Sequence, residues 1–330
     1  MILIGFGTRP EYLKLKSVIQ GFDFYNIKYK LLFIKQHTDI IPECKYDYSI
    51  DINDSSNRIN SIIASVMDMP DYIFDDITHT VVQGDTTSAF ALAMNAYFRK
   101  IKVIHIEAGV RTFNTGNPFP EEINRQLISK FATVHFCPTN TDLDNIQNEH
   151  GDKYVVGNTV IDFIKDVEPQ YTNKVLITLH RRDNWNKIHV YFKAINKIAK
   201  ENKDIEFILP IHPNKEIRKH ANLLSAVNVV EPMQHDEIIK IIAESLFVIT
   251  DSGGIIDEAC YLGKKVIVIR DTIENQKLGV KNIHMCYSVN ELNILFYEIK
   301  KYYNADKSLV FGNGEASNKI VKILMESYLQ

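Results

Sequence analysis

Short β-rich runs alternate with helical patterns along almost the whole chain, and this alternation constrains the fold more than any other feature. MILIGFG, KYKLLFIKQ, HTVVQGD, KVIHIEAG and TVHFCPT read as strands, separated by the helical stretches PEYLKLKSVIQGF, TTSAFALAMNAYFRK and EEINRQLISKFA. The second half repeats the theme with KVLITLH, IEFILPIH, VNVVEPM, LFVITDSGG and KKVIVIRD, interleaved with HDEIIKIIAES and GGIIDEACYLG. Nearly continuous apolar strands that alternate with helices imply parallel sheets covered on both faces. Roughly eleven or twelve strands exceed one comfortable open sheet. The expectation is therefore an α/β protein of two Rossmann-like, doubly wound domains, divided near VVGNTVIDF (155–163), with a ligand-binding cleft between them.

Composition enters as a set of exclusions. A net charge of -3 argues against a nucleic-acid partner, which needs a basic surplus. Cys44, Cys137, Cys260 and Cys286 form no C-x-x-C pair and read as buried thiols in a reducing compartment. The eleven histidines show no zinc-ligand spacing. No apolar run approaches the ~20 residues that span a bilayer. The N-terminus has no charged region ahead of its apolar residues, so it reads as a first strand rather than a leader. These features predict a soluble, cytoplasmic protein with no nucleic-acid or membrane partner.

Five strand ends carry polar clusters: GTRPE (7–11), GDTT (84–87), HIEAGVRT (105–112), LHRRDNW (179–185) and TDSGG (250–254). Any one of them is ordinary loop chemistry, but parallel strands bring their carboxyl ends to one surface. In TDSGG, Gly253 and Gly254 open a helix whose free amides attract anions, and Ser252 adds a hydroxyl. The competing reading is that Asp251 or Ser252 only caps that helix. Glu258, one turn on, is either a ribose acceptor or an exposed helix residue. At the opening loop Gly5 and Gly7 permit a tight turn, but Pro10 stands where a dinucleotide fingerprint needs its third glycine, and no acidic ribose partner follows at the expected spacing. That weighs against a nicotinamide cofactor. Arg9 and Lys14 oppose the dipole at a helix start, which suits anion ligands better than decoration. Asp85, Glu107 and Glu121 follow or neighbour adjacent strands. Such acids either perform proton transfer or pair with Arg111 and Arg125.

These motifs, taken in order, resemble the non-hydrolysing UDP-N-acetylglucosamine 2-epimerases. GTRPEYLKL, QGDTTSAFA, HIEAGVRTFNTGNPFPEEINR, VVGNTVID, LHRRDNW, TDSGG and FGNGEAS carry the resemblance across essentially the whole chain. It implies the GT-B fold, with residues 1–160 as the first domain, 161–314 as the UDP-binding domain, and a last helix (about 315–330) crossing back onto the first. It implies inversion at C2 of a UDP-sugar by elimination of UDP to 2-acetamidoglucal and re-addition, with no cofactor and no metal, in a cytoplasmic homodimer. Asp85, Glu107 and Glu121 match the family's acid/base carboxylates and His180 its active-site histidine. Arg9 and Lys14 match positions that steady the diphosphate. Ser252, Gly253, Gly254 and Glu258 match the UDP turn. Gln36, Arg58, Arg181 and His212 match part of an allosteric site for a second UDP-sugar.

The chain departs from the family pattern in three places. Ile256 and Asp257 replace a Gln-Glu pair, HRREN becomes HRRDN, and TIENQK puts Asn275 where an arginine is usual, with Lys277 as a possible substitute. The alternatives are C2 epimerases of UDP-L-fucosamine or diacetamido uronic acid type, a hydrolysing relative, a glycosyltransferase, and a catalytically silent binder. The long loop from Val110 to Pro120 and the presence of Gly254 favour UDP-GlcNAc as the substrate.

Overall fold

The computed structural model describes residues 1–36, 45–53, 56–181, 184–274, 277 and 279–329. Among these, thirteen strands form two fully parallel sheets. The first contains β1 (Ile2–Phe6), β2 (Tyr29–Ile34), β3 (Tyr48–Ile50), β4 (His79–Gln83), β5 (Lys102–Ile106), β6 (Ala132–Cys137) and β7 (Asp152–Val155), in the spatial order β3-β2-β1-β4-β5-β6-β7. The second contains β8 (Lys174–Thr178), β9 (Glu206–Pro210), β10 (Asn228–Val230), β11 (Ser245–Thr250), β12 (Lys265–Ile269) and β13 (Ile283–Cys286), in the order β10-β9-β8-β11-β12-β13. Strand order therefore reverses between β1 and β4 in one sheet and between β8 and β11 in the other. In such sheets, ligands bind outside the strand carboxyl ends at the reversal.

The helices are α1 (Arg9–Phe24), α2 (Arg58–Met67), α3 (Thr87–Phe98), α4 (Glu121–Phe131), α5 (Asn140–Asn145), α6 (Ile188–Glu201), α7 (Lys215–Arg218), α8 (His235–Glu244), α9 (Gly253–Tyr261), α10 (Val289–Lys301) and α11 (Ala316–Ser327). The chain divides into a first unit of Met1–Phe163, Glu274–Gln276 and Gly312–Gln330, and a second of Ile164–Ile273 and Lys277–Phe311.

Every residue of β1 is buried because both faces of the sheet are covered. Ile2, Ile4 and Phe6 join Leu15, Val18 and Phe22 of α1 and Ile320 and Leu324 of α11 on one face. Leu3 joins Leu92 and Ala96 of α3 on the other, as the two-residue period of a strand requires. Truncating a fully buried Phe22 in this layer would cost about 3–5 kcal/mol. In the second unit, Val175, Ile177 and Ile249 pack with Phe192 of α6 and Phe296 of α10. Cys137, Cys260 and Cys286 are free, buried thiols as expected, and Cys44 lies outside the described residues.

The glycines of β1 and its loop do a different job from the one expected. Gly5 lies inside β1, and neither Gly5 nor Gly7 has a positive φ. A Cβ on Gly5 would stand 2.0 Å from Leu92 Cδ2, and one on Gly7 would stand 2.1 Å from Ser88 Oγ. They make room for α3 and do not shape a tight turn. Motifs distant in sequence meet at the C-terminus of the first unit. Gly157 and Gly312 approach so closely that a Cβ on Gly312 would lie 2.9 Å from Gly157 Cα. Asp162 caps α11 by accepting from the Ala316 and Ser317 amides at 2.9 and 2.7 Å.

Candidate functional site

In the first unit, the reversal between β1 and β4 gathers three of the polar strand ends. Glu107 follows β5 and holds a φ of 66°. A left-handed backbone at a residue with a Cβ costs about 1–3 kcal/mol and persists only where its surroundings enforce it. Its carboxylate accepts from the Lys14 ammonium on α1 and from the Gln83 side chain at the end of β4. Asp85, after β4, is gripped by Arg125 of α4, whose Nε and Nη2 stand 2.7 and 2.6 Å from Asp85 Oδ2. The adjacent Asn124 side chain donates to the Asp85 carbonyl at 2.9 Å. Glu121 is the first residue of that same helix and is half-buried. Of the two arginines expected to pair with these acids, only Arg125 does so. Arg111 instead donates to the Val110 carbonyl and to Ser129 Oγ.

Two further carboxylates organise this half without having been singled out in the sequence. Glu11, in the first turn of α1, accepts from the Gly7 amide at 3.1 Å, Thr8 Oγ1 at 2.7 Å and Thr86 Oγ1 at 2.8 Å, and so ties the β1–α1 loop to the β4–α3 loop. Burial pushes its carboxyl up to about 7, against the pull of the hydrogen bonds from Thr8, Thr86 and Gly7. Glu122, fully buried, accepts from the Thr112 and Phe113 amides at 2.8 and 3.1 Å and anchors the long loop ahead of α4.

In the second unit, the reversal between β8 and β11 is built around amides. Asp251 is fully buried at the end of β11. It accepts from the amides of His180 and Arg181 at 3.0 Å and from the Asn184 side chain at 2.9 Å. It therefore shapes the loop after β8 and leaves the helix that follows it uncapped by its carboxylate. Ser252 occupies the N-cap of α9, but its side chain makes no capping bond. A Cβ on Gly254 would meet nothing within 4 Å. Gly254 also has no left-handed φ, so neither packing nor backbone conformation calls for glycine there. Glu258, 3% exposed, meets His235 at 2.6 Å. Lys277 donates to the Gly253 carbonyl at 2.7 Å and pairs with Asp257 at 3.0 Å, both within this turn. Asn275, Arg182 and Asp183 lie outside the described residues.

His180 sits after β8 with its side chain 38% exposed and Nδ1 3.6 Å from Asp251. Its ring stacks on that of His212 with centroids 5.6 Å apart. The remaining candidates of the expected allosteric set fall into two groups. In the first unit, Arg58 donates to the Gln36 carbonyl at 2.8 Å, and Gln36 accepts from the Ser88 amide. In the second, Arg181 follows the His180–His212 stack. Arg9, half-buried, opens α1.

Residues 25–325 match the family model described as UDP-N-acetylglucosamine 2-epimerase. The chain is 33% identical to the UDP-N-acetylglucosamine 2-epimerase of Bacillus subtilis, over 99% of this chain and 95% of that protein. The crystal structure of UDP-GlcNAc 2-epimerase from Neisseria meningitidis bound to UDP-GlcNAc superposes with a TM-score of 0.89 at 30% identity, over 99% of this chain and 100% of that one. The Methanocaldococcus jannaschii enzyme in complex with UDP-GlcNAc and UDP gives 0.82 at 27% identity, with 99% of each chain covered. The two Rossmann-like units are thus of the GT-B type, and the chain belongs to the UDP-N-acetylglucosamine 2-epimerase family.

Proposed function

We propose that the chain interconverts UDP-N-acetylglucosamine and UDP-N-acetylmannosamine by inversion at C2. The C2 proton is barely acidic, so its removal is coupled to departure of UDP from C1. The intermediate is 2-acetamidoglucal plus UDP, and re-addition follows protonation from the other face. Asp85, Glu107 and Glu121 serve as the acid/base set of the first unit. Lys14 holds the Glu107 carboxylate, and Arg125 holds that of Asp85. Positioned groups of this kind typically contribute about 10²–10⁴ in rate. In the second unit, Ser252, Gly253 and Gly254 bind the nucleotide phosphates through free amides, Glu258 takes the ribose, and His180 acts beside them. Arg9 and Lys14 add positive charge for the departing diphosphate, where fixed dipoles and cations act most strongly in the transition state.

The observation that carries this reading is Glu107, an acid held in a left-handed conformation between Lys14 and Gln83 at the reversal of strand order. The test is incubation with UDP-GlcNAc in deuterated water. Deuterium at C2 together with UDP-ManNAc is the expected result. Unlabelled, unchanged substrate overturns the proposal, and free ManNAc with UDP marks a hydrolase instead. The enzyme works in the cytoplasm, where its nucleotide-sugar substrate is available, and as a homodimer. Support for the second copy comes from exposed apolar side chains on two helices, Tyr97 and Phe98 at the end of α3 and Leu127 of α4. Sedimentation at micromolar concentration reads the assembly state.

A further inference from the structure

One contact beside the glycine turn is not used by the reaction as described above. His235 is the first residue of α8, and its Nε2 lies 2.6 Å from Glu258 Oε1. Glu258 sits one turn inside α9 and is 3% exposed, whereas the His235 side chain is 23% exposed. A buried carboxylate is tolerated only when its oxygens have donors. Here the donor comes from a neighbouring helix, so the direction in which Glu258 points depends on α8 as well as on α9. With Oε1 occupied by the imidazole, Oε2 is the remaining acceptor of the carboxylate. The carboxylate stands on the same first turns of α9 that expose the Gly254 amide, so an acceptor here lies within one helical turn of the phosphate-binding positions.

We propose that His235 is a positioning residue for ribose recognition. By holding Oε1, it orients Glu258 so that Oε2 accepts a hydrogen bond from a ribose hydroxyl of the nucleotide. The inference rests on the reading above that Glu258 takes the ribose. It makes His235 a determinant of selectivity for ribonucleotides. A site built to receive a hydroxyl rejects a ligand that lacks it, because a buried acceptor is then left unpaired.

The experiment is calorimetric titration of the full-length chain with UDP and with 2′,3′-dideoxy-UDP, for the unaltered protein and for His235→Phe, His235→Gln and Glu258→Ala. The unaltered protein binds UDP more tightly than the dideoxy analogue. His235→Phe, which keeps the ring and loses the donor, is expected to weaken UDP about tenfold and the analogue less than about twofold. His235→Gln, which keeps a side-chain donor, recovers part of the loss. A merely structural role for His235 would weaken both ligands equally. That result, or an unchanged UDP/dideoxy-UDP ratio in His235→Phe, overturns the proposal. If Glu258→Ala leaves the ratio intact, the ribose role of Glu258 itself fails. If Glu258→Ala abolishes the ratio while His235→Phe preserves it, only the role of His235 fails. Should His235→Phe not fold, the same ratio measured on His235→Gln decides: a ratio below that of the unaltered protein supports the proposal, and an identical ratio overturns it.

Discussion

The two sheets solve the same topological problem with opposite chemistry. At the reversal in the first unit, Lys14 meets Glu107 and Arg125 meets Asp85. At the reversal in the second, the buried Asp251 is held by two backbone amides and an asparagine side chain, and the helix N-terminus beside it keeps its own amides unused by Ser252. The glycines divide in the same way. Gly5 and Gly7 are filled against by α3, whereas Gly254 faces open space. On the proposed reading, one architecture supplies the acids in its first unit and an amide-rich turn in its second, with Arg9 and Lys14 of the first unit adding charge for the diphosphate.

The strongest way to break this division is to neutralise the acids. Asp85→Asn and Glu107→Gln are each expected to lower kcat by about 10²–10⁴, since each removes an acid assigned to proton transfer in the proposed mechanism while keeping its shape. UDP affinity, read by calorimetry, is expected to stay within about threefold, because the losses belong to the transition state and not to nucleotide binding. A collapse of UDP binding in either variant would mean that Asp85 or Glu107 itself holds the nucleotide, and its assignment to proton transfer would be wrong.

A pair of glycine variants sharpens the contrast at a smaller magnitude. Gly254→Ala puts a methyl into empty space, so the melting temperature should hold or rise, with about 0.5–1 kcal/mol gained from helix propensity. UDP should bind about tenfold more weakly, because the methyl obstructs approach to the amides. Gly7→Ala should do the reverse. Its methyl meets Ser88, and overpacking of this kind costs about 1–3 kcal/mol, visible as a lower melting temperature. If Gly254→Ala binds UDP normally, the glycine turn is not the anion site.

Much of this contrast was legible in the chain before any coordinates. The alternation of apolar strands and helices specified two parallel α/β sheets because buried parallel strands need continuous apolar runs, and ten of the thirteen strands announce themselves that way. Tyr48–Ile50, Asp152–Val155 and Ile283–Cys286 escaped notice. They are short sheet-edge strands with little burial, and they carry polar or mixed residues. Motif spacing put Asp85, Glu107 and His180 just after strand ends and Gly254 at the opening of a helix, where they lie. It did not reveal Glu11, Glu122 or the true work of Asp251. Each of these acts by accepting hydrogen bonds from segments that only the fold brings near, across 75 residues for Glu11 and Thr86 and 71 for Asp251 and His180. The same limit applies to Lys277. Its position suggested a replacement for the missing arginine, and nothing in its spacing announced the contacts of its ammonium with Asp257 and the Gly253 carbonyl.

The subtlest test concerns pH, and it separates by sign two kinds of buried group within the first unit. Glu11 belongs to the first unit, and burial raises its carboxyl to about 7 from an ordinary 4.5. The folded chain therefore holds this proton more tightly than the unfolded chain does. Its contribution to stability is complete below about 4.5, declines as pH rises through that window, and is gone above about 7, a loss of about 3 kcal/mol at 1.36 kcal/mol per unit. His79, His105 and His135 work in the opposite direction. Burial lowers them to about 4, 3 and 4, so neutral imidazole is favoured in the fold and stability rises with pH toward 6.5. The raw profile mixes both trends, and the informative quantity is the difference between the unaltered protein and Glu11→Gln. Urea unfolding at pH 5 and pH 7.5 should show that the variant loses less stability, or gains more, across that interval, because the substituted amide cannot titrate while the histidines still do. An identical change in both proteins would mean that Glu11 is ionised throughout, held by Gly7, Thr8 and Thr86 as a carboxylate much as Asp251 is held by its amides. The two reversals would then share one mode of anchoring.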